Sequence, residues 1–227
     1  MAIICRQYNL LFLMVPRTAC TAVGELLCNQ YGGEFLPAED ILDASGVIAV
    51  QKKHSSLQEL LQHRLVTPKE ANSLLKLAAV RNPFDSLVSL YFKQRVKYEP
   101  LLHDATSWVN HSPRYAKFMN YAQKHSFNQW VFRVCYRKVV KSLLGFGSSM
   151  APEYTQGADI ILRYESLEKD LRDAFGRAGI PWKADLPRVN ETTERRNREY
   201  RSFYSRLSAI AVSCAFAEDL KTYGYTF

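Results

Sequence analysis

Arg17, Thr18 and Thr21 fall in a short turn between an apolar run and a helical pattern, a combination that can hold an anion. The stretch reads Leu10-Leu11-Phe12-Leu13-Met14-Val15-Pro16-Arg17-Thr18-Ala19-Cys20-Thr21-Ala22-Val23-Gly24-Glu25-Leu26-Leu27. Its first half is an unbroken apolar run of strand length, as expected of a strand buried on both faces. In its second half Val23, Leu26 and Leu27 recur at helical spacing. A strand that turns directly into a helix presents backbone N–H groups at the helix start, and these favour a phosphate together with the helix dipole. Arg17 adds a fixed positive charge, and Thr18 and Thr21 add hydroxyl donors. The pattern is not a nucleotide-triphosphatase loop: GxxxxGK[ST] is absent, no Lys precedes either Thr, and the turn contains no Gly. A first strand followed by a capped helix also occurs in α/β domains without a phosphate site, so the turn alone does not decide.

Two further positions have the same character. His54 follows the β-branched run Gly46 to Val50 and precedes a helix carrying Leu57, Leu60 and Leu61, capped by Ser55 or Ser56. It therefore stands at a strand-to-helix handover, the rim where open α/β sheets bind ligands. Lys52 and Lys53 beside it favour a neutral imidazole, which suits a general base, although a lone histidine is more often structural. Arg81 ends the apolar run Leu77 to Val80 at the same rim. Asn82 is a good N-cap, Pro83 takes the first helical position and Asp85 lies in the first turn. Phe84, Leu87, Val88 and Tyr91 form the expected buried face, with Ser89 on a different one. The bland readings are a surface ion pair for Arg81 and a tolerated helix serine for Ser89.

A length of 227 residues with 47% hydrophobic content excludes a disordered chain and suits one domain over residues 1–227. The net charge of +8 points to an anionic partner: a nucleotide, an acidic glycan, nucleic acid or a membrane surface. No long basic run favours the membrane, and no apolar run reaches the roughly 18 residues of a span. Cys5, Cys20, Cys28, Cys135 and Cys214 are odd in number and include no CxxC, so a reducing, cytoplasmic setting is expected, without a disulfide framework or zinc site. The apolar N-terminal run lacks a cleavage signal and reads as a core strand.

Tyr31-Gly32-Gly33 stops the first helix, and Thr67-Pro68 opens another that reaches Leu75. Residues 93 to about 145 form a helical region in which Lys93, Arg95, Lys97 and Arg114 alternate with Tyr98, Trp108 and Tyr115. This region reads as a helical subdomain or as an acceptor-side insertion. Phe127 to Leu144 is helical and runs into a link at Gly145-Phe146-Gly147-Ser148-Ser149. Asp159 to Arg163 is a further buried strand, followed by a helix from Tyr164 to Ala178. Arg195, Arg196, Arg198 and Arg201 read as solvated charge, with closure over a ligand as the alternative. The last helix carries Phe203, Leu207, Ile210 and Val212 on its expected face.

Three separated segments resemble one family, the sulfotransferases. Pro16-Arg17-Thr18-Ala19-Cys20-Thr21 resembles their 5′-phosphosulfate loop, usually Pro-Lys-[Ser/Thr]-x-x-[Thr/Ser]. Val80-Arg81-Asn82-Pro83-Phe84-Asp85-Ser86-Leu87-Val88-Ser89-Leu90-Tyr91 resembles their 3′-phosphate motif, Arg-Asn-Pro-x-Asp-x-x-Val-Ser-x-Tyr, and is the specific match. Leu162-Arg163-Tyr164-Glu165-Ser166-Leu167-Glu168-Lys169-Asp170-Leu171 is similar to a segment of the carbohydrate-type branch, as is the closing Asp219 to Phe227.

The resemblance implies an α/β fold with a P-loop-like parallel sheet flanked by helices. It implies 3′-phosphoadenosine-5′-phosphosulfate as donor, no metal, and a hydroxyl acceptor, with a sugar as the best match. Arg17, Thr18, Ala19, Cys20, Thr21 and Ala22 are then the 5′-phosphosulfate residues, mostly through backbone N–H groups, and Arg81 and Ser89 the 3′-phosphate residues. Lys53-His54-Ser55-Ser56 resembles a segment that carries a histidine in several carbohydrate sulfotransferases, which makes His54 the candidate base; related enzymes can hold Glu there. Arg17 replaces the usual Lys, keeping the charge but not the same proton donor. Ala19 and Cys20 stand where many such loops have Gly. A non-catalytic binder of anionic glycan or nucleic acid, using the basic segments, is the alternative; nucleic acid is disfavoured under the sulfotransferase reading.

Overall fold

The apolar run before the Arg17 turn is the second strand of a five-stranded sheet. In the computed structural model, which describes residues 2–44, 46–52, 54–144, 152–187, 189 and 198–227, the first elements are β1 (Ala2–Cys5), β2 (Leu10–Leu13), α1 (Cys20–Tyr31), β3 (Glu34–Leu36), β4 (Ile41–Leu42), β5 (Ile48–Val50), α2 (Leu57–Gln62), α3 (Pro68–Ser73) and β6 (Leu75–Val80). They are followed by α4 (Pro83–Phe92), α5 (Pro113–Lys124), α6 (Phe127–Leu143), α7 (Pro152–Thr155), β7 (Ile160–Arg163), α8 (Leu167–Arg177), α9 (Arg206–Ala215) and α10 (Ala217–Tyr223). The chain forms two compact units, Met1–Arg81 with Met150–Asn190 and Asn82–Ser149 with Glu191–Phe227.

The first unit holds the sheet, in the order β3-β1-β2-β6-β7. β2, β6 and β7 are parallel, in the register Leu13↔Ala78 and Val80↔Arg163. The two segments not anticipated from sequence, β1 and β3, run antiparallel to their neighbours, so the sheet is mixed and not wholly parallel. Every residue of β1 and β2 is buried, because helices cover both faces. On one face, Val23, Leu26 and Leu27 of α1 and Leu171 and Phe175 of α8 pack on Ile3, Phe12 and Leu77. On the other, Leu60, Val66 and Leu74 pack on Ala2, Leu11 and Ala78.

Within the run Gly46 to Val50, Ile48–Val50 is a strand, but not of this sheet: among the described residues β5 pairs with β4 in a two-stranded ribbon, and Ala49 is exposed. Of the β-branched residues of β5, Val50 is buried and Ile48 half-buried, in a hairpin and not in the five-stranded sheet. α2 is capped by Ser56, whose hydroxyl accepts from Glu59 N–H while the Glu59 carboxylate accepts from Ser56 N–H; Ser55 instead donates to Gln51 O. α3 has the expected Thr67 cap and stops at Ser73, since Leu74 is already extended. Gly32 ends α1 at φ +62°, donating to Leu27 O.

In the second unit α4 is buried along nearly its whole length, Ser89 included, so Ser89 shares the buried surface expected only of the apolar residues. Asn82 caps α4 by accepting from Phe84 N–H and donates its amide to Thr226 O at 3.0 Å. Phe84, Tyr204 and Phe227 form an edge-to-face cluster behind that cap. α4 runs on into a π-helical turn over Lys93–Lys97, where the buried Gln94 accepts from Trp130 Nε1. α6 and α9 pack together through Trp130, Val131, Ala209 and Val212. The final helical stretch is two helices, and of its expected buried face only Val212 is buried; Leu207 and Ile210 are exposed. The link at 145–149, Lys53, and Arg195 and Arg196 lie outside the described residues. Among the described residues no helix is long and apolar enough to cross a membrane.

All five cysteines are free. Burial pushes the Cys5 thiol up to about 12 and, first among its causes, does the same for Cys135. An unfolded thiol ionises near 8.5, so above that pH the unfolded state releases protons that the folded state retains. Stability is therefore full below about pH 8.5–9 and falls as pH rises towards 12. The expected result is a thermal midpoint that drops between pH 8 and pH 11, with a shallower drop in a Cys5→Ala/Cys135→Ala variant. An equal slope in the two proteins contradicts it.

Candidate functional site

The turn between β2 and α1 adopts backbone angles that glycine usually supplies, without a glycine. Arg17 has φ +69° and Ala19 has φ +55°, a region that costs an L-residue roughly 1–2 kcal/mol. Thr18, buried between them, donates its hydroxyl to Val15 O at 2.9 Å. That hydroxyl braces the turn and does not point a donor at a ligand. Ala19 caps α1 with no side-chain acceptor, so the helix start is left to backbone N–H groups from the turn onward, the arrangement that suits an anion. Cys20, Thr21 and Ala22 are the first residues of α1. The turn therefore holds two residues in a costly backbone region, Arg17 and Ala19, within three positions. Ala19→Gly is expected to relieve one of them, stabilising the protein by about 0.5–1 kcal/mol and raising the thermal midpoint by about 1–4 °C. A lower midpoint contradicts the strain.

His54 and Arg81 both meet this turn. His54 Nδ1 lies 2.8 Å from Met14 O, the carbonyl that ends the β2 run. A carbonyl only accepts, so Nδ1 carries the proton and, in the neutral ring, the lone pair is on Nε2. The His54 ring is also met edge-on by Tyr154 of α7, with centroids 6.2 Å apart. Arg81 Nη1 donates to Arg17 O at 3.0 Å. Its guanidinium lies over the Tyr164 ring, 3.8 Å from the centroid, a cation–π contact that fixes the plane of the fork. The pairing follows from register: Val80 is opposite Arg163 in the parallel pair β6–β7, so the next residues, Arg81 and Tyr164, stand side by side. Asp170 of α8 holds that corner by accepting from Arg163 N–H at 2.8 Å and from the Ser166 hydroxyl at 3.0 Å.

Arg17, Thr18, His54 and Arg81 thus come together in the first unit at the C-terminal ends of β2 and β6. Ser89 belongs to α4 in the second unit. Tyr164, Tyr154 and the Met14 carbonyl were not anticipated as parts of the site. Tyr164 had a signal, an aromatic directly after an apolar strand run; a carbonyl partner and a ring from α7 have none. Among the described residues no group of three or more His, Cys, Asp or Glu is placed to hold a metal ion. In the second unit Arg198 and Arg201 lie over the rings of Phe203 and Tyr200, at 4.5 and 4.9 Å.

The family model described as "Sulfotransferase family" matches residues 1–226. No curated protein and no solved structure matches the chain.

Proposed function

The chain belongs to the sulfotransferase family, and on that premise we propose that it moves a sulfuryl group from 3′-phosphoadenosine-5′-phosphosulfate to a hydroxyl, of a carbohydrate in the first instance, by in-line displacement. The observation that carries this reading is the bond from Arg81 Nη1 to Arg17 O. It joins the two cationic corners that resemble the 3′- and 5′-phosphate motifs, which supports their serving one doubly phosphorylated adenosine.

In the proposed reaction the acceptor oxygen bonds to sulfur while the bond from sulfur to the bridging phosphate oxygen breaks. The electron pair of that bond passes to the leaving adenosine 3′,5′-bisphosphate. His54 Nε2 takes the acceptor proton, a contribution of about 10² to 10⁴ in rate. The Met14 carbonyl holds the ring in the tautomer that leaves Nε2 basic. Arg17 and the backbone N–H groups at the start of α1 stabilise charge growing on the bridging oxygen. A guanidinium does not deprotonate in proteins, so Arg17 acts by charge and not as a proton donor. Arg81 is assigned to the 3′-phosphate, with Tyr164 keeping its fork in plane; Ser89 is assigned to the same group by its place in the sequence motif alone.

The test is transfer of labelled sulfate from the donor to a panel of sugars, phenols and amines. Label is expected in sugar hydroxyls. Absence of label in every acceptor, with the donor unconsumed, overturns the proposal; label confined to phenols or amines overturns the acceptor class only.

A further inference from the structure

Phe132, Tyr136, Val139 and Leu143 of α6 follow one another at spacings of four, three and four residues, which sets them in one row along the helix. They are exposed by 41%, 70%, 41% and 81%. The other side of the same helix is buried through Trp130, Val131 and Cys135, so α6 has two apolar faces and the core covers one. The row is about 16 Å long at 1.5 Å per residue. It borders the seam with α9: Asn128, one turn before Phe132, accepts from Ser205 N–H at 3.0 Å and from the Ser208 hydroxyl. Next to Ser208 stands Leu207, which with Ile210 adds two more exposed apolar side chains.

Charge decides what can cover this surface. α5, α6 and α9 contain eight Lys or Arg and no Asp or Glu. Arg133, Arg137 and Lys141 form an exposed row directly beside the apolar one. Arg133 and Arg137 lean over the rings of Tyr121 and Phe118, at 4.2 and 5.6 Å. In the sequence, Asn82–Ser149 with Glu191–Phe227 holds sixteen Lys or Arg against eight Asp or Glu, while the remaining residues hold fourteen of each; the whole net charge of +8 falls in the second unit's segments. A second copy meeting this face across a two-fold axis would set arginine rows against each other with no carboxylate on these helices to neutralise them. A soluble polyanion would meet the charges and leave the apolar row in water. Anionic head groups above an acyl layer match both rows at once.

We propose that the α6–α9 face docks the protein on an anionic lipid bilayer, with the Phe132–Leu143 row at the head-group boundary and the adjacent basic row on lipid phosphates. The surface is independent of the residues assigned to sulfuryl transfer. The test is flotation of the full chain with phosphatidylcholine vesicles, with and without phosphatidylserine. Co-flotation is expected with phosphatidylserine, weakened by high salt. Phe132→Ser/Tyr136→Ser is expected to lower binding at least about tenfold, with an unchanged circular dichroism melt showing that the fold persists. Arg133→Gln/Arg137→Gln gives an independent loss. No binding to phosphatidylserine vesicles overturns the proposal. So does unchanged binding in the serine variant, which marks simple adsorption of a polycation, and so does a concentration-dependent dimer abolished by the same two substitutions, which marks a second copy as the occupant.

Discussion

Replacing His54 with Ala is expected to lower kcat by about 10² to 10⁴-fold while leaving the affinity for adenosine 3′,5′-bisphosphate within about twofold. The split follows from the geometry. Nδ1 is engaged by Met14 O at 2.8 Å, and the nitrogen assigned to proton transfer is the other one. A merely structural histidine in the same place would also matter, because its loss leaves the Met14 carbonyl without that partner. His54→Asn separates the roles. The Asn amide can reproduce the Nδ1 donor but offers no base at the Nε2 position. If His54 is the base, Asn restores the thermal midpoint of the wild type but not its turnover. If His54 only braces the turn, Asn restores both. Unchanged turnover in the Ala variant removes His54 from the mechanism altogether.

The second large effect is expected at Arg81. Its Ala variant should bind adenosine 3′,5′-bisphosphate about 10- to 150-fold more weakly, the scale of a lost charge-assisted hydrogen bond of about 1.5–3 kcal/mol. Adenosine monophosphate, which lacks the 3′-phosphate, should bind within about threefold of its wild-type affinity. The comparison matters because Arg81 also holds the turn through Arg17 O and stacks on Tyr164. Were it only a strut for the turn, both ligands would weaken alike, since both use the 5′-phosphate site. An equal loss therefore rejects the 3′-phosphate assignment and leaves a structural role.

Leu10–Leu13 and Leu75–Val80 were legible because they are apolar runs at the centre of the sheet. Ile160–Arg163 is the strand expected there but not a buried one, because it lies at the sheet edge and only Leu162 is buried while Ile161 and Arg163 are exposed. The cap residues Thr67 and Asn82 were legible for a local reason, the fit of a side-chain oxygen to the first N–H groups of a helix. β1 and β3 were not. Four residues cut off by the turn Arg6–Tyr8, and three half-exposed residues after Gly33, carry too little periodicity to stand out. β5 misled because β-branched residues mark extended backbone and not the identity of the partner strand. The last helix misled for a related reason. It has apolar residues on two sides, and periodicity does not say which side meets the core, so Leu207 and Ile210 were placed inward while Ala209 and Val212 are the buried ones. The basic surface on α5 and α6 does not show in the sequence because its members are one helical turn apart and never make a run. In the candidate site, strand-end position and charge singled out Arg17 and Arg81; His54 was singled out by a strand that lies outside the sheet, and it meets the turn through the Met14 carbonyl. Tyr164 needed the β6–β7 register, and the partner of His54 needed the tertiary structure.

Calorimetric titration of the wild-type chain with adenosine 3′,5′-bisphosphate and, separately, with adenosine monophosphate tests the central claim most directly, because the two ligands differ by a single 3′-phosphate. The account predicts at least a tenfold preference for the bisphosphate. Equal affinities, or heat from neither ligand, would contradict it.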